Sequence, residues 1–208
     1  MIYIINPCLE NPEKQEELFL IDIGTSNPEE IVANIRKVGL EPNKLRHQIL
    51  THCHIDHVGN AAWFKKKYKM MVYAHELERE VIENGGPQTG ADFYGVPYDP
   101  VKIDHVIKDD EEILNVQDIS LVLLHIPGHT PGGIAPYLDI RGKRILFSQD
   151  THGPLMPLFG SDRKAFVKSL KKMLDLHADI LCEGHFGVYE GKKSVKNYIQ
   201  SYIRQFSR

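Results

Sequence analysis

Thr51-His52-Cys53-His54-Ile55-Asp56-His57-Val58-Gly59 places three imidazoles and one carboxylate within six consecutive positions. Histidine and aspartate are poor core residues unless each polar atom finds a partner, so packing does not explain the run. Upstream, Gln48-Ile49-Leu50 reads as the end of a strand. Downstream, Ala61-Ala62-Trp63-Phe64-Lys65-Lys66-Lys67 reads as a helix. The run therefore sits at a strand-to-helix junction, where the turning backbone can aim neighbouring side chains at one point. In an extended backbone His52 and His54 face the same way and Cys53 faces the other. Asp56 and His57 fall near the helix start, whose partial positive potential suits a carboxylate. The stretch reads as part of a metal site that needs further ligands.

Working outward, Ile2 to Ile5 is a short β-rich run, and Glu10 to Glu17 reads as a hairpin-like connection. Leu18 to Ile23 is a buried strand carrying Asp22 near its end. Ser26 or Asn27 can cap the next helix, with Pro28 at its first position and Ile31, Ile35 and Val38 as its apolar stripe. Beyond the ligand run, Met70 to Tyr73 reads as a strand and His75 to Asn84 as a helix. Gly85 to Pro100 is a long Gly- and Pro-rich loop carrying Phe93, Tyr94 and Tyr98. It is either a surface loop with a small apolar anchor or a lid that walls a pocket. From Val101 the chain returns to strands, with Ile119–Leu124, Ile134–Leu138, Arg144–Ser148 and Asp179–Cys182 the clearest. Helices are expected over Asp162–Leu176 and Ser194–Phe206. Strands dominate and helices fall between groups of them, which suggests two β-layers with helices outside. No repeat, low-complexity tract or linker divides the chain, so residues 1–208 read as a single domain.

Three further ligand-type residues, His129, Asp150 and His185, each follow an expected strand, in a turn. Gly128 and Gly184 sit beside the two histidines, where the backbone must bend tightly. A lone loop histidine is commonly a surface residue. Three such positions at equivalent strand ends, beside an HxHxDH run, point instead to one centre.

This combination of HxHxDH, then PGHT, then an aspartate, then a late GH resembles the metallo-β-lactamase fold superfamily over nearly the whole chain. The resemblance implies an α+β fold, a four-layer αββα sandwich with metals at one edge between the sheets. It implies that His52, His54 and His129 bind a first metal, that Asp56, His57 and His185 bind a second, and that Asp150 bridges the two. Asp22 resembles the family's strand-end aspartate, which supports the ligand loop through hydrogen bonds. The full seven-ligand set resembles the glyoxalase II-like and lactonase-like branches rather than lactamases proper. There are departures. The family's further strand ahead of Ile2–Ile5 has no counterpart here, so the native start lies upstream or the sheet edge is shorter. Ser148-Gln149-Asp150 replaces the common glycine-aspartate but keeps the carboxylate. The C-terminal helical domain of glyoxalase II and the long insertions of the nuclease branches have no counterpart in this sequence.

The donor set suits two divalent metal ions, zinc foremost, with iron or manganese also compatible. Two cations about 3.5–4 Å apart can hold a bridging hydroxide that attacks a carbonyl at neutral pH. Asp56 is the candidate catalytic residue, orienting the nucleophile or passing a proton to the leaving group. Phe93, Tyr94, Tyr98 and His152 are the candidate pocket residues. Cys53 points away from the metals, Cys182 is a small core residue, and His125 is a structural histidine.

Composition narrows the partners. The formal charge of −3 gives no electrostatic footprint for nucleic acid and no bias toward membranes. No apolar run approaches the roughly 18 residues of a membrane span. The three cysteines are widely spaced and odd in number, against a disulfide framework. The expectation is a cytoplasmic dinuclear hydrolase of a small ester, thioester or lactone. Its enzymatic rival is an iron-dependent persulfide dioxygenase, separable by metal identity and oxygen uptake. A non-catalytic metal- or ligand-sensing module is a rival of another class. Substrate, native metal and oligomeric state are not encoded in any motif.

Overall fold

The computed structural model describes residues 1–208. In chain order it runs β1 (Tyr3–Ile5), β2 (Leu18–Ile21), α1 (Pro28–Lys37), β3 (Leu45–Ile49), α2 (Ile55–Val58), α3 (Ala61–Tyr68) and β4 (Met71–His75). There follow α4 (Arg79–Asn84), α5 (Ala91–Tyr94), β5 (His105–Ile107), β6 (Glu111–Val116), β7 (Ile119–His125), β8 (Ile134–Ile140) and β9 (Lys143–Phe147). α6 (Arg163–Asp175), β10 (Ile180–Cys182), β11 (Val188–Glu190) and α7 (Lys192–Phe206) complete the chain.

The strands form two mixed sheets. The first has the order β1-β2-β3-β4-β5, antiparallel at β1/β2 and parallel from β2 onward. The second has the order β11-β10-β9-β8-β7-β6, antiparallel except for the parallel β9/β10 pair. Alternation along the strands explains the layers. In β2, Phe19 and Ile21 face the second sheet and meet Leu121, Leu123, Ile134 and Phe147. Leu18 and Leu20 face outward, into a cluster with Ile31 and Ile35 of α1 and Phe64 of α3. On the far side Leu146 and Leu181 pack with Phe166, Leu170 and Met173 of α6 and Val195 and Ile199 of α7. The result is the expected αββα sandwich. Strands buried on both faces read as continuous apolar runs, and each such side chain contributes about 1.5–3 kcal/mol by leaving water.

Several local expectations change. The chain between His75 and Asn84 is not one helix: His75 ends β4, a 3-10 turn spans Glu76–Glu78, and only Arg79–Asn84 is helical. The His75 ring accepts from the Leu77 backbone N–H and stops the strand there. The helix expected over Ala61–Lys67 is α3, but Asp56 and His57 lie on a separate single turn, α2, before it rather than at its start. Residues 85–100 hold a 3-10 turn at Pro87–Thr89 and the one-turn α5.

Candidate metal centre

Parallel β2, β3 and β4 end on the same side of the first sheet, and the ligand run begins two residues after β3. The turns after β9 and β10 of the second sheet supply Asp150 and His185, and the turn between β7 and β8 supplies His129. All seven residues expected as ligands meet here, in two groups whose donor atoms lie within 4.8 Å of one another. The first group is His52, His54, His129 and Asp150; the second is Asp56, His57, His185 and Asp150. Asp150 belongs to both. Its Oδ2 lies 3.5 Å from His129 Nε2, while its Oδ1 lies 3.1 Å from His57 Nε2 and 3.3 Å from His185 Nε2. That Oδ1 is buried and makes no hydrogen bond.

The hydrogen bonds around the rings decide which nitrogens face inward. His129 Nδ1 donates to the Pro154 carbonyl at 3.0 Å, so its Nε2 carries the lone pair. Thr51 Oγ1 donates to Asp22 at 2.8 Å and accepts from His52 Nδ1 at 3.0 Å, which leaves a lone pair on His52 Nε2. Both of those nitrogens lie 3.0 Å from His54 Nδ1. With its proton on Nδ1, His54 would donate to these two nitrogens; with its proton on Nε2, three lone pairs would converge and a cation among them would relieve their repulsion. Nitrogens bound at about 2.0–2.1 Å to a tetrahedral ion would stand only slightly further apart, near 3.4 Å. The donors therefore fit a divalent metal.

Charge differs between the groups. Burial depresses the His54 imidazole to about 3 and His129 to about 4, and burial likewise holds His52 well below its ordinary value. Burial alone would also depress His57, but the Asp150 and Asp22 carboxylates hold it well above the usual histidine range. Hydrogen bonds to Asp150 and Asp56 lift His185 to about 9. Burial alone would raise Asp56, yet the His185 hydrogen bond and the His57 charge bring it down to about 2.

Supporting groups hold these ligands in place. Asp22 accepts from the Thr51 backbone N–H at 2.8 Å and from His57 Nδ1 at 2.7 Å, the role expected for it. Sequence reasoning missed two more carboxylates. Glu78 is buried and accepts from the Cys53 N–H at 2.9 Å and the Gly132 N–H at 2.6 Å, joining the HxHxDH run to the turn after His129. Glu183 is fully buried, accepting from the backbone N–H groups of His185 and Phe186 and from His152 Nδ1 at 2.9 Å. A Cβ on Gly184 would collide with Asp150 Oδ1, and one on Gly128, at φ +134°, would collide with the Phe166 backbone. Those two glycines are dictated by close approach.

A cavity opens in front of the two groups, lined by His54, Asp56, Asp150 and His185 together with Phe93, Tyr94 and His152. The Tyr94 hydroxyl donates to Asp56 Oδ2 at 3.1 Å. Tyr98 corrects an expectation. It does not line this cavity, because its hydroxyl donates to the Ile82 carbonyl and its ring packs on the core beneath α4. Met156 and Phe159 line the cavity unannounced by any motif. Cys53 is buried with its Sγ toward the Gln88 carbonyl, outside both groups. Cys182 lies in the core between the sheets. His125 stacks on His75 and hydrogen-bonds the Pro131 carbonyl, as a structural histidine should.

The sequence model of the metallo-beta-lactamase superfamily matches residues 13–185. The chain belongs to that superfamily. Among its curated relatives in the superfamily, a Bacillus subtilis (strain 168) protein named "Probable metallo-hydrolase YqgX" is 31% identical over 157 residues, 73% of this chain and 72% of that one. The Haemophilus influenzae protein named "Hydroxyacylglutathione hydrolase GloC" is 26% identical over 183 residues, 85% of this chain and 83% of that one. Among solved structures, the class B3 di-zinc metallo-beta-lactamase LRA-12 from an Alaskan soil metagenome superposes with a TM-score of 0.79 at 21% identity. That match covers 99% of this chain and 84% of the other, and it establishes a shared fold. Superfamily membership and the His/Asp groups together support a divalent-metal-dependent hydrolase. No helix is long and apolar enough to cross a membrane.

Proposed function

We propose that the chain is a cytoplasmic dinuclear hydrolase, loaded with zinc, that cleaves a small ester, thioester or lactone. The observation that carries this reading is the Asp150 carboxylate, whose two oxygens are divided between two complete donor groups. His52, His54 and His129 would hold one ion, Asp56, His57 and His185 the other, with Asp150 between them. When bound, such ions polarise a carbonyl oxygen and make water nucleophilic at neutral pH. The protein's own groups supply orientation. Asp56 Oδ2 already accepts from the Tyr94 hydroxyl at 3.1 Å and faces the cavity, so its carboxylate is placed to accept hydrogen bonds. It would therefore align a donor, either the attacking water or a protonated leaving group. Tyr94 donates to Asp56 from the pocket side and would displace toward a substrate carbonyl or leaving atom. Asp22, Glu78 and Glu183 keep the donor nitrogens and the ligand turns in one geometry before any ion binds. The names of the two relatives, a metallo-hydrolase and a hydroxyacylglutathione hydrolase, support hydrolysis of a small carbonyl substrate.

The test begins with elemental mass spectrometry of protein purified without added metal, followed by an ester, thioester and lactone panel. Two zinc ions per chain and turnover on that panel are expected. One iron per chain with persulfide-dependent oxygen uptake would overturn hydrolysis in favour of sulfur oxidation. Failure to take up any metal on reconstitution would sink both.

A further inference from the structure

The cavity in front of Asp56 and Asp150 measures about 370 Å³, within the range of small-molecule sites. Its wall away from the ligands is apolar. Phe159 lies against the His54 ring, with centroids 4.1 Å apart, and Phe93 meets Phe159 edge-on at 6.1 Å. Pro154 and Met156 continue the same wall, and Phe93 stands 63% exposed at the mouth. Phe186, also exposed, stands edge-on at 4.7 Å to the ring of His152, which lines the cavity. An apolar path thus runs from a metal-binding histidine to the surface.

The cavity's charged groups lie at its base. Asp56, Asp150 and His185 are among the residues that would hold the ions, and no lysine or arginine lines the rest of it. Arg163 reaches a neighbouring surface cavity beside Met156, but its guanidinium is engaged by the Phe206 and Arg208 carbonyls. Away from the ions, along the wall formed by Phe159, Met156 and Phe93, a substrate tail bearing carboxylates or phosphates would give up water without meeting a lysine or arginine, which is unfavourable. An apolar chain laid along Phe159 and Phe93 would gain about 0.8 kcal/mol for each methylene buried, or about fourfold in binding.

We infer that this site selects uncharged carbonyl substrates with an apolar acyl chain and discriminates against thioesters whose leaving group carries carboxylates or phosphates. The inference rests on the hydrolase reading above and narrows it. It also separates this chain from the Haemophilus influenzae relative, named a hydroxyacylglutathione hydrolase.

Two measurements on the metal-reconstituted full chain test it. The first compares kcat/KM for acetyl and hexanoyl thioesters of N-acetylcysteamine, which are neutral, with hexanoyl thioesters of glutathione and coenzyme A. The neutral hexanoyl thioester should exceed the acetyl one by at least about 10-fold, as burial of two methylenes requires. It should exceed both charged thioesters by a similar factor. Equal or faster turnover of the glutathione or coenzyme A thioester overturns the inference and leaves hydrolysis standing. The second measures binding of inert thioethers by calorimetry, S-hexyl-N-acetylcysteamine against S-hexylglutathione. Tighter binding of the neutral thioether without turnover of any thioester would sink hydrolysis while keeping the ligand class. Tighter binding of S-hexylglutathione, or binding of neither, would overturn the inference itself. Phe93→Arg, at an exposed position, should shift the ratio of glutathione to neutral thioester turnover upward by about 5-fold, the effect of one exposed charge pair. An unchanged ratio would remove Phe93 from the substrate's path.

Discussion

In one half of the metal centre His52, His54 and His129 are all buried, whereas in the other His185 is exposed and Asp56 partly so. The residue types are nearly the same, yet the surroundings give them opposite charge states. Burial leaves the first three imidazoles neutral, with His54 near 3 and His129 near 4. In the second half, carboxylates outweigh burial, so His57 and His185 keep their protons through neutral pH, His185 up to about 9. Low dielectric alone prepares a ligand by stripping its proton, while nearby carboxylates store protons that an arriving cation must displace. The first half is prepared for a cation before it arrives; the second becomes so only on exchange.

The largest expected effect removes what the halves share. Asp150→Asn removes the negative charge shared by the two donor groups, between the two proposed cations, while keeping the side chain's shape. Loss of a residue that merely supports a ligand typically reduces metal affinity or activity about 10- to 100-fold. Loss of a shared ligand should exceed that, on the order of 10³-fold in kcat/KM, with both ions depleted by elemental analysis. Retention of one ion at full occupancy would show that the Asp150 carboxylate serves a single half.

The next effect sharpens the asymmetry through pH. Each proton that a metal displaces makes its affinity rise about tenfold per pH unit, for as long as the free ligand is protonated. His54 and His129 are already neutral above about pH 5, so affinity at the first half should stay flat between pH 6.5 and 8.5. The second half should tighten by at least about 100-fold over the same range, because His185 titrates near 9 and His57 is also raised. The sign for stability is opposite. A histidine with a raised folded pKa supports the metal-free fold fully below its unfolded value of about 6.5, and that support is lost as pH rises through about 9. The metal-free protein should therefore lose thermal stability from pH 6.5 to 9 relative to the loaded form. Two pH-independent binding steps, read by competition with a chelator, would contradict this account.

How much of this was legible beforehand follows from where each signal lies. The seven candidate ligands could be read because four fall in one HxHxDH run after β3 and the other three lie in turns after β7, β9 and β10, with parallel β2–β4 and β9–β10 delivering their ends to one edge. Asp22 was legible for the same reason. Glu78 was not. It sits in Glu76-Leu77-Glu78-Arg79-Glu80, which reads as the solvated face of a helix, and only the 3-10 turn after His75 rotates one of those carboxylates inward. Glu183 looked like an ordinary strand end, though its place directly before Gly184-His185 is a usable signal for a carboxylate that clamps the turn. The strand β6 alternates between exposed and half-buried positions at a sheet edge, and β11 is three residues long, so neither presents a strong apolar pattern. Tyr98 was misplaced because its position depends on where the 85–100 segment crosses α4, a long-range contact with no local pattern.

Those two overlooked carboxylates offer the finest separation of the halves. Glu78 holds the Cys53 N–H, between His52 and His54, and the Gly132 N–H just beyond His129, so its contacts belong to the first half. Glu183 holds the His185 N–H and the His152 ring, so its contacts belong to the second. Asp22 cannot discriminate, since it reaches both Thr51 and His57. In Glu78→Gln one oxygen becomes an NH2 group facing a backbone donor, leaving a buried N–H unpartnered, which costs about 1–3 kcal/mol. In Glu183→Gln the NH2 faces the His152 ring, and the charge-assisted hydrogen bonds to the ligand turn are weakened. Spread over the ligand turn, either loss should weaken one ion by about tenfold, the lower end for supporting residues. The first ion should weaken in Glu78→Gln and the second in Glu183→Gln, read as a shift of one step in a two-step chelator titration. If both variants shift the same step, or both steps equally, the halves share one rigid frame and the contrast between them is confined to protonation.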